Sequence, residues 1–163
     1  MNEDLSQAFI TQAQKHLRDD FMPRLGKCVD QLTHEQLWWR PNENCNSVGN
    51  LLLHLSGNVR QWIIAGVGGQ PDTRQRDEEF AARQSGQASQ LMEKLQATVD
   101  EACQVLDSLT AADLLETRRI QVYDVSVLSA VFHVVEHFSH HVGQVIYITK
   151  ALRDRDLEFY RGL

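Results

Sequence analysis

The sequence predicts an all-α protein built as a four-helix bundle. Apolar residues recur at three- and four-residue steps through four long segments, start and stop signals bracket those segments, and no series of alternating strands separates them.

The first helix is expected from Asp4 to Leu32, because Leu5, Phe9, Ala13, Leu17, Phe21, Leu25 and Val29 follow one another at steps of four. Pro23 removes a backbone donor inside that run, so a kink or short break is expected there. Thr33 to Gln36 fits the S/T-x-x-E/Q capping box and starts a short turn carrying Leu37 and Trp38, which Arg40-Pro41 ends. Asn46 or Ser47 caps a second long helix that carries His54 and runs to about Val67, with Gly66, Gly68 and Gly69 as its stop. After a polar loop, Asp77 is placed to cap a short helical piece before the Ser85-Gly86 break. A third long helix follows, in which Ala88, Leu91, Met92, Leu95, Val99, Ala102, Cys103, Leu106 and Leu109 keep helical spacing. RRIQVY, residues 118–123, alternates and suggests a small extended segment. Asp124 or Ser126 then caps a last helix to about Leu152, whose apolar positions include Leu128, Val131, Val135, Phe138, Val142, Val145 and Ile148.

A chain of 163 residues is expected to form one domain, residues 1–163, with one core. Its 42% apolar and 23% charged residues are those of a folded globular protein rather than a disordered one. A net charge of −6 with no basic stripe argues against nucleic-acid binding. The start, MNEDLSQAF, has neither the cationic nor the apolar part of a secretory signal, so a cytoplasmic location is expected. The most apolar stretch, Val125 to Val135, is interrupted by Ser126, Ser129 and His133 and falls short of the ~20 apolar residues of a membrane span. Cys28, Cys45 and Cys103 are odd in number and widely spaced, which reads as free thiols.

The chemical signal is histidine. His133, His137, His140 and His141 crowd one part of a helix whose other buried positions are largely aliphatic. His133, His137 and His141 stand four apart, and each such step turns only about 40° around the helix, so the three imidazoles share a stripe. A lone histidine on such a face is more often solvated or hydrogen-bonded than ligating, but a pair at i and i+4 brings two ring nitrogens within reach of one ion. His133 and His141, about 12 Å apart along the axis, cannot serve one centre together. The ion is therefore clasped by His133 and His137 or by His137 and His141. A third ligand must come from another helix, and His54, set among Leu51, Leu52, Leu53 and Leu55, would be costly to bury without a partner. Three nitrogen ligands leave a coordination position open, the arrangement of catalytic rather than closed structural zinc.

Around these, Asn58 and Gln144 lie one turn from His54 and His141 and could hydrogen-bond a ligand or a substrate, while His140 points about 100° from His141 and reads as a supporting residue. His16 and His34 read as surface residues. Glu136 reads as a surface or packing carboxylate, Asp77 and Glu79 as caps, and Arg60, Arg74 and Arg76 as surface arginines before substrate ligands. Trp38, Trp39 and Trp62 read as core before pocket walls.

SVGNLLLHLSGNVRQW, followed some way on by HFSHHVGQ, resembles the DinB/YfiT-like superfamily of small metal-binding bundles, and the resemblance runs over nearly the whole chain. It implies a metal site of His54, His137 and His141, with Gly143-Gln144 following as expected, and so selects the 137/141 pair; His133 then joins Asn58, Gln144 and His140 as a neighbour of the site. WWRPN and GGQPDTRQRDEEF look like an uncharacterised branch of that superfamily. The resemblance implies one divalent ion per chain, with zinc the first choice and nickel the second, and a homodimer, for which Val127, Phe132 and Ile146 are the apolar candidates. It also implies an enzyme acting on a small-molecule substrate. The leading activity is transfer of a low-molecular-weight thiol, as co-substrate, to a small electrophile. The alternatives are a metal-dependent hydrolase using a metal-bound water and a non-catalytic stress or structural protein whose ion braces two helices.

Overall fold

In the computed structural model, which describes residues 2–159, the first long stretch is α1 (Asn2–Lys15), a π-helical segment (His16–Phe21) and α2 (Met22–Val29). The chain does not break at Pro23. A proline ring presses on the carbonyl four residues before it. The wide turns that precede Pro23, where the Met22 N–H donates to Leu17 O, accommodate it. Ala13, Leu17, Phe21, Leu25 and Val29 are buried, but Leu5 is 75% exposed. A strict step of four drifts around a helix of 3.6 residues per turn, so the buried stripe passes to Ile10 instead.

The Thr33–Gln36 capping box starts α3 (His34–Leu37) as expected, and Trp38 packs flat against Gly49 of the next helix. That helix, α4 (Val48–Val59), is capped by Ser47 and continues as a π-helical segment (Arg60–Val67). Its stop is Gly68 and Gly69, the latter at φ +73°. Gly66 is not part of the stop: Ile120 lies on it, and a Cβ there would come within 2.6 Å of the Ile120 Cδ1. Next comes α5 (Arg76–Ala81), whose N-cap is Gln75; Asp77 lies in its first turn rather than at the cap, where an acid still favours the helix dipole. Then follows α6 (Ala88–Asp107).

The extended segment is a hairpin. Strands β1 (Thr117–Ile120) and β2 (Tyr123–Ser126) pair antiparallel, Thr117 opposite Ser126 and Ile120 opposite Tyr123. Asp124 accepts from Arg119 across the hairpin at 2.7 Å, so the cap of α7 (Val127–Arg153) falls to Ser126, whose Oγ accepts from Ser129 N at 3.1 Å.

The bundle consists of the α1–α2 stretch, α4 with its π-helical extension, α6 and α7. Helix α4 packs on both α6 and α7, and α2 packs on α7. Leu51, Leu52 and Leu55 of α4 and Val131, Val134, Phe138 and Val145 of α7 are at most 1% exposed. Full burial of each such side chain stabilises by about 1.5–3 kcal/mol relative to exposure. Of the residues expected at a subunit interface, Val127 is buried in the core, Ile146 is half-buried and Phe132 is 57% exposed; Leu128, expected to be buried, is 39% exposed beside it. Among the described residues no helix is long and apolar enough to cross a membrane.

Candidate metal centre

Packing of α4 on α7 brings His54 across from His137 and His141. The Nε2 of His54 lies 3.0 Å from the Nε2 of His137, which lies 3.1 Å from the Nε2 of His141. One ring nitrogen from each histidine lies within 4.8 Å of the other two, so the three could hold one metal ion. Two donors at about 2.0 to 2.1 Å from a tetrahedral ion stand roughly 3.3 Å apart, close to the spacings found here.

The donor set fits a cation. The Nδ1 of His54 faces the carboxylate Oε2 of Glu79 at 3.0 Å, and the Nδ1 of His141 faces Gln144 Oε1 at 2.7 Å. Both partners accept, which assigns the proton of each neutral ring to Nδ1 and turns both Nε2 lone pairs on His137 Nε2. That nitrogen has at most one proton to give, so one lone pair is left facing its neighbour; a cation at the centre would satisfy all three. Electrostatics agree. Burial, followed by the nearby His141, His54, His133 and Arg74, pushes the His137 imidazole down to about 3. Burial also holds His141 below the usual histidine range, against the opposing Gln144 hydrogen bond. Both rings are neutral near pH 7, the form that ligates.

His133 is not part of the cluster. Its ring packs at a tilt against Trp62, 4.2 Å between centroids, and lies 5.5 Å from the His137 ring, and burial holds it below the usual range despite Glu136. Tyr123, half exposed on β2, adjoins Trp62 at 6.4 Å, so an aromatic file leads from the cluster to the hairpin. His140 flanks His141 at 5.2 Å and meets Gln144 Nε2 at 3.4 Å. Asn58 is 4% exposed, and its Oδ1, like the His137 Nδ1, has no hydrogen-bond partner.

Glu79 and Arg74 differ from the sequence reading. Glu79 is not a cap but a buried carboxylate on His54, and Arg74 is not a surface residue: its side chain is 5% exposed. Arg74 Nε donates to Glu79 Oε1 at 2.7 Å and Nη2 to Oε2 at 2.8 Å, a two-pronged clamp; Nη2 also lies 3.0 Å from His54 Nδ1. Burial alone would raise the Glu79 carboxyl, but the hydrogen bonds from Arg74 and His54 and their charges outweigh it and hold it below the ordinary value. Phe80 next to Glu79 covers the His54 ring at 4.7 Å, and the Arg76 guanidinium lies over the Phe80 ring at 4.8 Å. The signal for this pair was indirect: a glycine, Gly57, three residues after a buried histidine in mid-helix, where glycine is unfavourable unless another group must come close.

A cleft of about 930 Å³ beside His54 is not the entrance to the cluster. It lies between α4, α6 and the 73–85 segment, lined by Gly57, Arg60, Arg74, Glu79, Arg83 and Lys94 among others, and by none of the three histidines. It opens behind His54, on the Glu79 side.

A family model described as "Protein of unknown function (DUF1572)" matches residues 4–160. No curated protein matches the chain. Among solved structures, a DinB-like protein from Bacillus cereus superposes with a TM-score of 0.67 at 16% identity, over 88% of this chain and 90% of that one. A DinB-like protein from Bacillus subtilis does so with 0.67 at 17% identity, over 91% and 97%. At such identities the likeness is one of fold, and the fold is the DinB-like helical bundle.

Proposed function

We propose, for a chain that belongs to the DUF1572 family and carries a DinB-like fold, that His54, His137 and His141 hold one divalent metal ion and that this centre acts on a small molecule. The observation that carries the reading is the convergence of three Nε2 atoms on one point, with two of the three Nδ1 atoms tied to acceptors. When bound, the ion supplies a Lewis acid with a free position, able to hold a low-molecular-weight thiol as its thiolate. The chain contributes the rest. His54 and His141 are oriented by Glu79 and Gln144, so their lone pairs are aimed before anything binds. Phe80 shields the His54 ring on one side of the centre, and His133 with Trp62 forms an apolar wall beside His137.

The reaction that fits best is thiol transfer to a small electrophile, in which the thiol loses its proton to solvent, its sulfur bonds to the electrophilic carbon and the carbon's leaving group departs with its electron pair. Glu79, the carboxylate on His54, is held by Arg74 and is not free to act as a base; a thiolate held at the centre needs none for its attack. Zinc suits an all-nitrogen site, and nickel would be accepted too. The zinc-loaded protein, given a panel of low-molecular-weight thiols and a haloarene electrophile, should consume thiol faster than the metal-free protein. Equal rates with and without metal, alongside metal-dependent ester or amide hydrolysis, would replace thiol transfer with the hydrolytic reading.

A further inference from the structure

The face of α4 that carries His54 also carries Asn50 and Gly57 and runs on to Gln61 in the π-helical segment, at three- and four-residue steps, and each of the four holds part of the segment 72–82. Asn50 is fully buried. Its Oδ1 accepts from Ser47 N in the capping box, while its Nδ2 donates to Glu79 O at 2.8 Å and Ala82 O at 3.0 Å. Gln61 accepts from Arg74 Nη1 at 2.8 Å and donates to Asp72 Oδ2 at 2.7 Å. Gly57 contributes an absence of atoms: a Cβ there would overlap the Glu79 carboxylate, 2.8 Å from its carboxyl carbon, and stand 2.9 Å from Arg74 Nε. Helix α5 is six residues long and has no side-chain cap, so its placement depends on these anchors.

We propose that Glu79 is a positioning residue of the metal centre, seated on Gly57 and clamped by Arg74, and that it sets the metal affinity of His54 without touching the ion. The inference rests on the metal-site reading above. A carboxylate that accepts from Nδ1–H fixes the ring tautomer and aim and makes Nε2 a better donor. Here it can do so only while Gly57 leaves room for it. The Asn50-x-x-x-His54-x-x-Gly57 pattern thus encodes one backbone anchor, one ligand and one vacancy on a single helix face.

The test uses the full chain and three variants, Glu79→Ala, Glu79→Gln and Gly57→Ala, with Glu78→Ala as a neighbouring exposed control. Zinc affinity is measured by competition with a chelating dye, the visible spectrum of the cobalt-loaded protein reports ligand geometry, and circular dichroism reports the fold. Glu79→Ala and Gly57→Ala should each weaken zinc binding about 10 to 100-fold and alter the cobalt spectrum. Glu79→Gln, whose amide oxygen can still accept from Nδ1–H, should recover part of the loss, and Glu78→Ala should match wild type. Folded Glu79→Ala with wild-type zinc affinity and cobalt spectrum overturns the proposal, whatever Gly57→Ala does. If Gly57→Ala does not fold, the two Glu79 variants decide. A wild-type protein that binds no metal would instead sink the metal-site reading itself.

Discussion

His54 and His137 reach each other across the α4–α7 interface, Nε2 to Nε2 at 3.0 Å, and His141 reaches the same His137 atom from one turn further along α7. Only one of these two contacts can be an ordinary hydrogen bond between neutral rings that both keep their outer protons. On the proposed reading, His54, His137 and His141 are ligands and His133 is not. His54→Ala, His137→Ala and His141→Ala should each abolish tight zinc binding in a calorimetric titration. His133→Ala should retain it, with at most a loss of about 10 to 100-fold. Loss in His133→Ala with retention in His141→Ala would move the ion one turn toward the start of α7.

The same burial makes the metal-free protein acid-sensitive in a defined window. An unfolded histidine titrates at about 6.5. His137 does so only at about 3 in the fold, and His133 and His141 are also held low. Between those values the unfolded chain binds protons that the native state refuses, so stability falls as pH drops below about 6.5. The Glu79 contribution, from a depressed carboxyl, is lost only at lower pH, below the carboxylate range. Thermal unfolding with chelator present should show Tm steady from pH 8 to 7 and falling from 6.5 to 5, with a shallower fall in His137→Gln. A Tm that rises over that interval would contradict the assignment.

The cysteines should differ in reactivity. Burial pushes Cys103 up to about 11 and raises Cys28, whereas Cys45 is half-exposed in the loop before α4. Because the thiolate reacts, an alkylating reagent at pH 7.5 should label the folded chain once, at Cys45, and all three positions after denaturation. Rapid labelling of Cys103 in the folded protein would show that the α6 core opens far more readily than its packing implies.

We propose a homodimer whose interface covers Phe132 and Leu128, both exposed on α7. Light scattering should give twice the 18.6 kDa chain mass at micromolar concentration, and Phe132→Lys should reduce it to one chain. A wild-type monomer over that range would remove the expectation.

The legible parts were those that local geometry encodes. The capping box at Thr33 and the stripe of His133, His137 and His141 follow from helical periodicity within a few residues, and the place of His54 in the histidine cluster followed from the cost of burying it among leucines. The helical continuity through Pro23 was not legible, because π-helical turns before a proline depend on packing around them. Neither was Glu79, which lies 25 residues from His54 on a short helix whose position is set by Asn50 and Arg74 rather than by its own sequence. An acid followed by an aromatic in a polar loop looks like a cap until the fold seats it against Gly57.

The most direct test is the metal content of protein purified without nickel resin or chelator, by elemental analysis, followed by calorimetric titration of zinc into the stripped protein. The account predicts one equivalent of zinc per chain, either carried through purification or taken up at micromolar concentration. A stripped, folded protein that binds neither zinc nor nickel at that level would contradict it.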